Sequence, residues 1–259
     1  MHGRSVARQL IADSLVLQGR SGEAKSFLED AVHDAPMDAN AALALGAFML
    51  RIAFYVEGAM RSPDSSKVAQ VQLLKAAKLD PSQADPFALL GIWFEEEGDE
   101  SRAAGCFSKC LAIDPCNPIA GRGLLRLKTR EAMEEQLDRA IRINSPVCGW
   151  AWRAVGLNKI FLEAADEFAV VALLKALRSR DISSPNSDPL SIFYNPPTEK
   201  VPNERAGALA DLAACYRRLG RFTASIRAFH SSIDSSGDMA SDFVLCSCAQ
   251  GKTSRICSC

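Results

Sequence analysis

Histidine, aromatic residues and net charge are all scarce in this sequence, and each scarcity closes off a class of function. Histidine occurs three times in 259 residues, as His2, His33 and His230, far apart in the chain. A Cys-His or Ser-His nucleophilic pair would need distant segments to converge, with nothing in the spacing to suggest it. Lys plus Arg total 30 against 31 Asp plus Glu, so the net charge of −1 supplies no bulk field to draw in nucleic acid or an acidic membrane. Aromatics make up 7% while Ala and Leu recur throughout, a balance that favours close-packed helices over sheets. The expected fold class is all-α.

An export signal is also missing. The N-terminus, MHGRSVARQLIADSLVLQGR, lacks the basic-then-apolar layout that such signals have. The one long apolar run, AALALGAFMLRIAFYVEGAM at residues 41 to 60, carries Arg51 and Glu57. Each would cost roughly 2.5 kcal/mol or more at a bilayer centre, so the run reads as a buried helix and no membrane partner is expected.

Cysteine is plentiful but unpatterned. Of nine, Cys106, Cys110, Cys148 and Cys215 fall singly in helical patterns, which suits reduced, buried thiols in a reducing compartment. Cys246, Cys248, Cys257 and Cys259 form two C-x-C pairs without a histidine and without C-x-x-C spacing, which argues against zinc. The stretch GKTS at 251 to 254 lacks the glycine that a phosphate-binding loop requires at position 246, where Cys246 stands. No cofactor or metal is expected.

What is present is a repeat. Residues 84 to 117 read ADPFALLGIWFEEEGDESRAAGCFSKCLAIDPCN, a unit of 34 residues. Phe87, Leu90, Gly91 and Phe94 share one face of a first helix, Ala103, Phe107 and Cys110 share one face of a second, and Pro115 closes the unit. Small residues stand where two helices cross closely, and large ones fill the space between. The acidic cluster EEEGDE spans the inter-helix turn, with Gly98 as the left-handed residue and Asp99 able to cap the second helix. Calcium-loop spacing is absent, so these carboxylates read as solvated turn residues and no catalytic residue is expected.

The pattern resembles the tetratricopeptide repeat, whose W-x-x-L-G-x-x-Y, A-x-x-x-F and P positions these residues meet with Phe in place of Trp and Tyr. The resemblance implies a right-handed superhelical α-solenoid of helix hairpins. The same register divides the chain into units at 5–38, 39–83 with an extended first helix, 84–117, a short degenerate 118–148, 149–182 and 206–239. In the first of these Ile11, Ala12, Leu15, Gly19, Ala24, Leu28, Ala31 and Pro36 fall in phase. Trp152 and Gly156 mark the fifth unit, and Tyr216, Gly220 and Phe229 the sixth. The short unit loses its residues near Lys128 to Arg130.

An inserted loop covers 183–205. The stretch from 182 to 202 holds five prolines, so neither helix can continue through it. Its Phe193 and Tyr194 suit either a docking peptide or aromatics laid back on the solenoid. Residues 240–259 begin a further repeat and end in an irregular tail, as though truncated. The basic runs RLKTR at 126 to 130 and RRLGR at 217 to 221 lie at helix ends, where cations favour the helix dipole, and are not read as an RNA patch.

Repeat solenoids hold partners, and three readings stay open. A co-chaperone clamp would place Lys and Asn at the fifth and ninth positions of first helices; Ala88, Ile92, Ala210 and Ala214 stand there instead, and only Asn158 near Arg153 resembles part of one. A fragment of a larger modifying enzyme is the second. In the third, the succession of units over roughly 65 to 235, including RAAGCF at 102 to 107 and WAW at 150 to 152, is similar to the long tetratricopeptide scaffolds of superkiller (Ski) complexes. That resemblance implies a non-catalytic cytoplasmic scaffold, with a nuclear pool allowed. Its implied partners are a DExH-box RNA helicase and WD40-propeller subunits, serving exosome-dependent 3′-to-5′ mRNA decay without direct nucleic-acid contact.

Overall fold

The computed structural model describes residues 2–55, 63–128, 133–143, 148–161, 166–179 and 204–236. These residues form twelve helices and no strand. In chain order they are α1 (His2–Leu17), α2 (Ser21–Asp34), α3 (Ala39–Tyr55), α4 (Pro63–Leu79), α5 (Asp85–Glu96) and α6 (Glu100–Ile113). They continue as α7 (Pro118–Leu127), α8 (Glu134–Ile143), α9 (Gly149–Phe161), α10 (Asp166–Arg178), α11 (Glu204–Arg218) and α12 (Phe222–Ser236). The most extensive contacts join α1 to α2, α3 to α4, α5 to α6, α9 to α10 and α11 to α12, and each odd-numbered helix also touches the next odd-numbered one. That is hairpins stacked side by side, with the odd helices forming an inner layer.

Close crossings explain why small residues recur on the inner helices. Leu73, Phe107 and Leu173 each lie over a glycine of the preceding helix, at Gly46, Gly91 and Gly156. A Cβ built on Gly91 would stand 2.4 Å from Phe107 Cε1, and one on Gly123 would stand 2.5 Å from its Cε2. The Phe107 ring is therefore wedged between α5 and α7, fully buried. One apolar cluster runs without a break from Ala12 in α1 to Ala154 in α9. A second joins Ala169, Val170 and Leu173 of α10 to Leu212 and Cys215 of α11.

Turn chemistry is local and repeated. Gly98 sits at φ +82°, its N–H donating to Glu95 O at 3.1 Å, while the Asp99 N–H donates to Phe94 O at 2.8 Å. This pair of bonds satisfies carbonyls that the end of α5 would otherwise leave open. The Asp99 carboxylate then accepts from the Arg102 N–H at 2.9 Å and caps α6. Gly19 and Gly220 repeat the left-handed turn between α1 and α2 and between α11 and α12.

Residues 41 to 50 of α3 are all buried, enclosed by protein. Among the described residues no helix is long and apolar enough to cross a membrane. Ile11, at the position that Leu90 buries in α5, is 44% exposed on α1, because no described helix precedes α1 to cover it.

One sequence expectation is overturned. Cys148 is not a lone reduced thiol: it is joined to Cys116 by a disulfide, with Cα atoms 5.0 Å apart. The two lie 32 residues apart, just before the N-termini of α7 and α9, and stacking of these helices brings them together. Cys106, Cys110 and Cys215 are free, the last two buried. The C-x-C cysteines, the GKTS stretch, the inserted loop with Phe193 and Tyr194, the shortened turn at 129–130 and the tail from 240 lie outside the described residues.

Candidate interaction groove

Charged and polar side chains that the sequence singles out are engaged in holding helices together. From EEEGDE, Glu95 accepts two hydrogen bonds from Arg126 of α7 at 2.8 Å each, and Glu97 accepts from Ser66 Oγ of α4 at 2.8 Å. Asp99 caps α6 and pairs with Arg102, whose backbone and side-chain N–H groups hold its carboxyl below the ordinary range. Among the described residues no group of three His, Cys, Asp or Glu is placed to hold a metal ion. The arginines of the basic runs make the same kind of link: Arg218 pairs with Asp166 and Arg221 with Glu167, both across to α10.

The inner layer offers no open clamp at its centre. Ala88 is fully buried and Ile92 is 6% exposed. Ala210 and Ala214 are half-buried on α11. Arg153 is bonded to Asp211 of α11 at 3.1 Å through both Nε and Nη2, and the Asn158 Oδ1 is buried without a hydrogen-bond partner.

The repeat-signature residues separate into two sets. Phe87, Leu90, Phe94, Ala103 and Phe229 are buried, Tyr216 packs on the second apolar cluster, Pro115 is half-buried in the turn before α7, and Gly156 lies under Leu173. Gly91 lies under Phe107, and Gly220 makes the left-handed turn before α12. Trp152 is half-buried with the Lys175 ammonium 4.0 Å above its ring. Its neighbour Trp150, which the sequence reading took only as part of W-A-W and not as a signature position, is the deeper one. It is 2% exposed, lies where a Cβ on Gly121 would stand 2.3 Å from its indole, and donates from Nε1 to Cys116 O at 3.3 Å. The W-A-W spacing was the available signal, since residues two apart on a helix face different neighbours.

The structure also builds a groove that no single motif announces. Between α4 and α6, above α5, lies an open cavity of about 580 Å³. Its walls include Leu74 and Lys78 from α4, Phe87, Leu90 and Phe94 from α5, and Arg102, Cys106 and Lys109 from α6. The Lys109 ammonium rests 4.1 Å from the Phe87 centroid, and the Arg102 guanidinium 4.7 Å from that of Phe94. Both cations are thereby positioned over aromatic faces. Burial pushes the Cys106 thiol above its ordinary range, opposed by the positive charges of Lys109 and Arg102. The size suits a few side chains of a partner.

No family model matches the chain. It is 35% identical over 96 residues to Tetratricopeptide repeat protein 37 of Xenopus laevis, a stretch that is 34% of this chain and 6% of that protein's length. Among solved structures it is similar to the APC/C hetero-tetramer Cut9-Hcn1, with a TM-score of 0.59 at 18% identity over 93% of this chain and 42% of the other. It is also similar to the type IV pilus biogenesis factor PilW, with a TM-score of 0.56 at 16% identity over 93% of this chain and 98% of the other. Hairpins stacked on glycine crossings, a tetratricopeptide relative and these fold neighbours together make the chain an all-α solenoid of the tetratricopeptide type.

Proposed function

We propose that the chain is a non-catalytic scaffold whose six repeat units, with the boundaries 5–38, 39–83, 84–117, a short degenerate 118–148, 149–182 and 206–239, display surfaces to protein partners. The observation that carries this is the groove between α4 and α6, whose apolar floor and cationic edge suit a polypeptide segment. The burial of Ala88 and Ile92 turns the reading away from a co-chaperone clamp, because the carboxylate of a peptide would meet no open inner surface there. Glu95, Glu97 and Asp99 of EEEGDE support it too, being committed to a cap and inter-helix bonds.

More narrowly, the succession of units supports a cytoplasmic scaffold of the superkiller type, partnered by a DExH-box helicase and WD40-propeller subunits and serving exosome-dependent mRNA decay. The test is to tag the protein at its native locus, read the product's size and identify what co-purifies. Recovery of a DExH helicase with a WD40 protein is the expected result. Chaperones in their place, or nothing reproducible, would overturn the superkiller assignment.

A further inference from the structure

We infer that the groove between α4 and α6 docks an acidic segment of a partner protein, with an apolar side chain laid against Leu74. This rests on the scaffold reading and specifies the chemistry of its partner.

Along α4, Val71, Leu74 and Lys78 recur at helical spacing, and Val71 and Leu74 are 58% and 39% exposed. Along α6, Arg102, Cys106, Lys109 and Ile113 recur likewise, and Ile113 is 36% exposed. From Arg102 to Lys109 the α6 wall is about 10 Å long at 1.5 Å per residue, the reach of roughly three extended residues. Between the walls, a Cβ built on Gly105 would meet nothing within 4 Å, so this position of α6 faces open space, above a floor of buried side chains.

Charge selects the occupant. Among the described residues the charged side chains lining the groove are Lys78, Arg102 and Lys109, while Glu97, Asp99 and Glu100 line the cavity that adjoins it at Phe94 and Arg102. Arg102 is paired with Asp99 at one end, which leaves Lys78 and Lys109 as the cations that a partner's carboxylates would meet. Lys109 is already held over Phe87, so binding freezes less of its side-chain freedom than a free lysine would lose. Two lysines beside an arginine already paired with Asp99, on a chain with a net charge of −1, are a local feature and not the extended basic surface that tracks a nucleic-acid backbone. An apolar centre flanked by Asp or Glu is the complementary chemistry.

The whole chain would be titrated against a short fluorescein-labelled peptide with a central Leu-Phe flanked by Asp and Glu. A peptide with Lys in place of the acids, and a single-stranded oligoadenylate, serve as comparisons. Cys106 supplies a second readout, because it lines the groove while Cys110 and Cys215 are buried. Its alkylation is followed by peptide mass spectrometry. The acidic peptide should bind and slow Cys106 alkylation by about tenfold at saturation. A Lys78→Glu/Lys109→Glu variant with an unchanged melting temperature should bind it at least about tenfold more weakly, a loss in the range of two charge pairs.

Equal binding of acidic and basic peptides, unaltered Cys106 alkylation, or protection by the oligoadenylate instead would overturn the assignment. Co-purification separates this failure from that of the scaffold reading. If the charge-reversed variant recovers the same partners as the native protein, the scaffold stands and the groove is not its docking site. If neither recovers a partner, the scaffold reading itself fails.

Discussion

Replacing Gly91 by Ala should destabilise the native protein yet stabilise a variant that already lacks the Phe107 ring. The added methyl would stand 2.4 Å from Phe107 Cε1, closer than carbon atoms approach. The ring has no retreat, because its other edge lies 2.5 Å from the corresponding position on Gly123 of α7. Overpacking of this kind costs about 1–3 kcal/mol. Against it stands about 1 kcal/mol gained when Ala replaces Gly inside a helix. The net for Gly91→Ala is a loss of up to about 2 kcal/mol. Phe107→Ala removes a fully buried ring and should cost about 3–5 kcal/mol by itself.

In that background the clash is gone, and Gly91→Ala should then raise stability by up to about 1 kcal/mol. The four proteins form a double-mutant cycle with a coupling of about 1–3 kcal/mol. Urea unfolding read by far-UV circular dichroism and by tryptophan fluorescence measures it, and coincidence of the two probes tests that the stack unfolds as one unit. If Gly91→Ala destabilises equally with and without the ring, the account of close helix crossings given above is wrong.

Two further outcomes follow from the cysteines. Breaking the Cys116–Cys148 disulfide opens a loop of 32 residues and should lower unfolding stability by roughly 3–4 kcal/mol on the chain-entropy relation, measured by comparing oxidised and reduced protein in urea; equal midpoints would refute the cross-link. Burial, the largest influence, pushes the Cys215 thiol from 9.0 up to about 11. The unfolded chain therefore releases this proton first, and its contribution, complete below pH 9, is lost as pH rises toward 11. Cys215→Ala should flatten that alkaline decline, and a decline unchanged by the substitution would show that this thiol is not its source.

The residues of the 84–117 stretch make the repeat readable because each carries its geometry locally. Gly98 and Asp99 mark the turn and the cap whatever surrounds them, as their own backbone bonds record. Phe107 shows its pairing with Gly91 through spacing alone. Its second contact, with Gly123, belongs to the next hairpin and follows only from how hairpins stack. The core role of Trp150, quoted only within W-A-W, was missed for the same reason: its partner Gly121 lies on α7, in a unit whose own pattern is shortened. The reading of Cys148 as reduced went astray because single cysteines on separate helices carry no mark of the neighbour that will face them.

Helix type, turn positions and the small-against-large crossings inside a hairpin are thus properties of this sequence by itself, since each rests on bonds or contacts within that hairpin. The Cys116–Cys148 link, the closure of the inner layer over Ala88 and Ile92, and the groove that places Lys78 beside Arg102 and Lys109 were decided only by tertiary structure. In each case the groups come from different hairpins. Their distance depends on the angle at which rigid helices stack, a quantity no short stretch of sequence encodes.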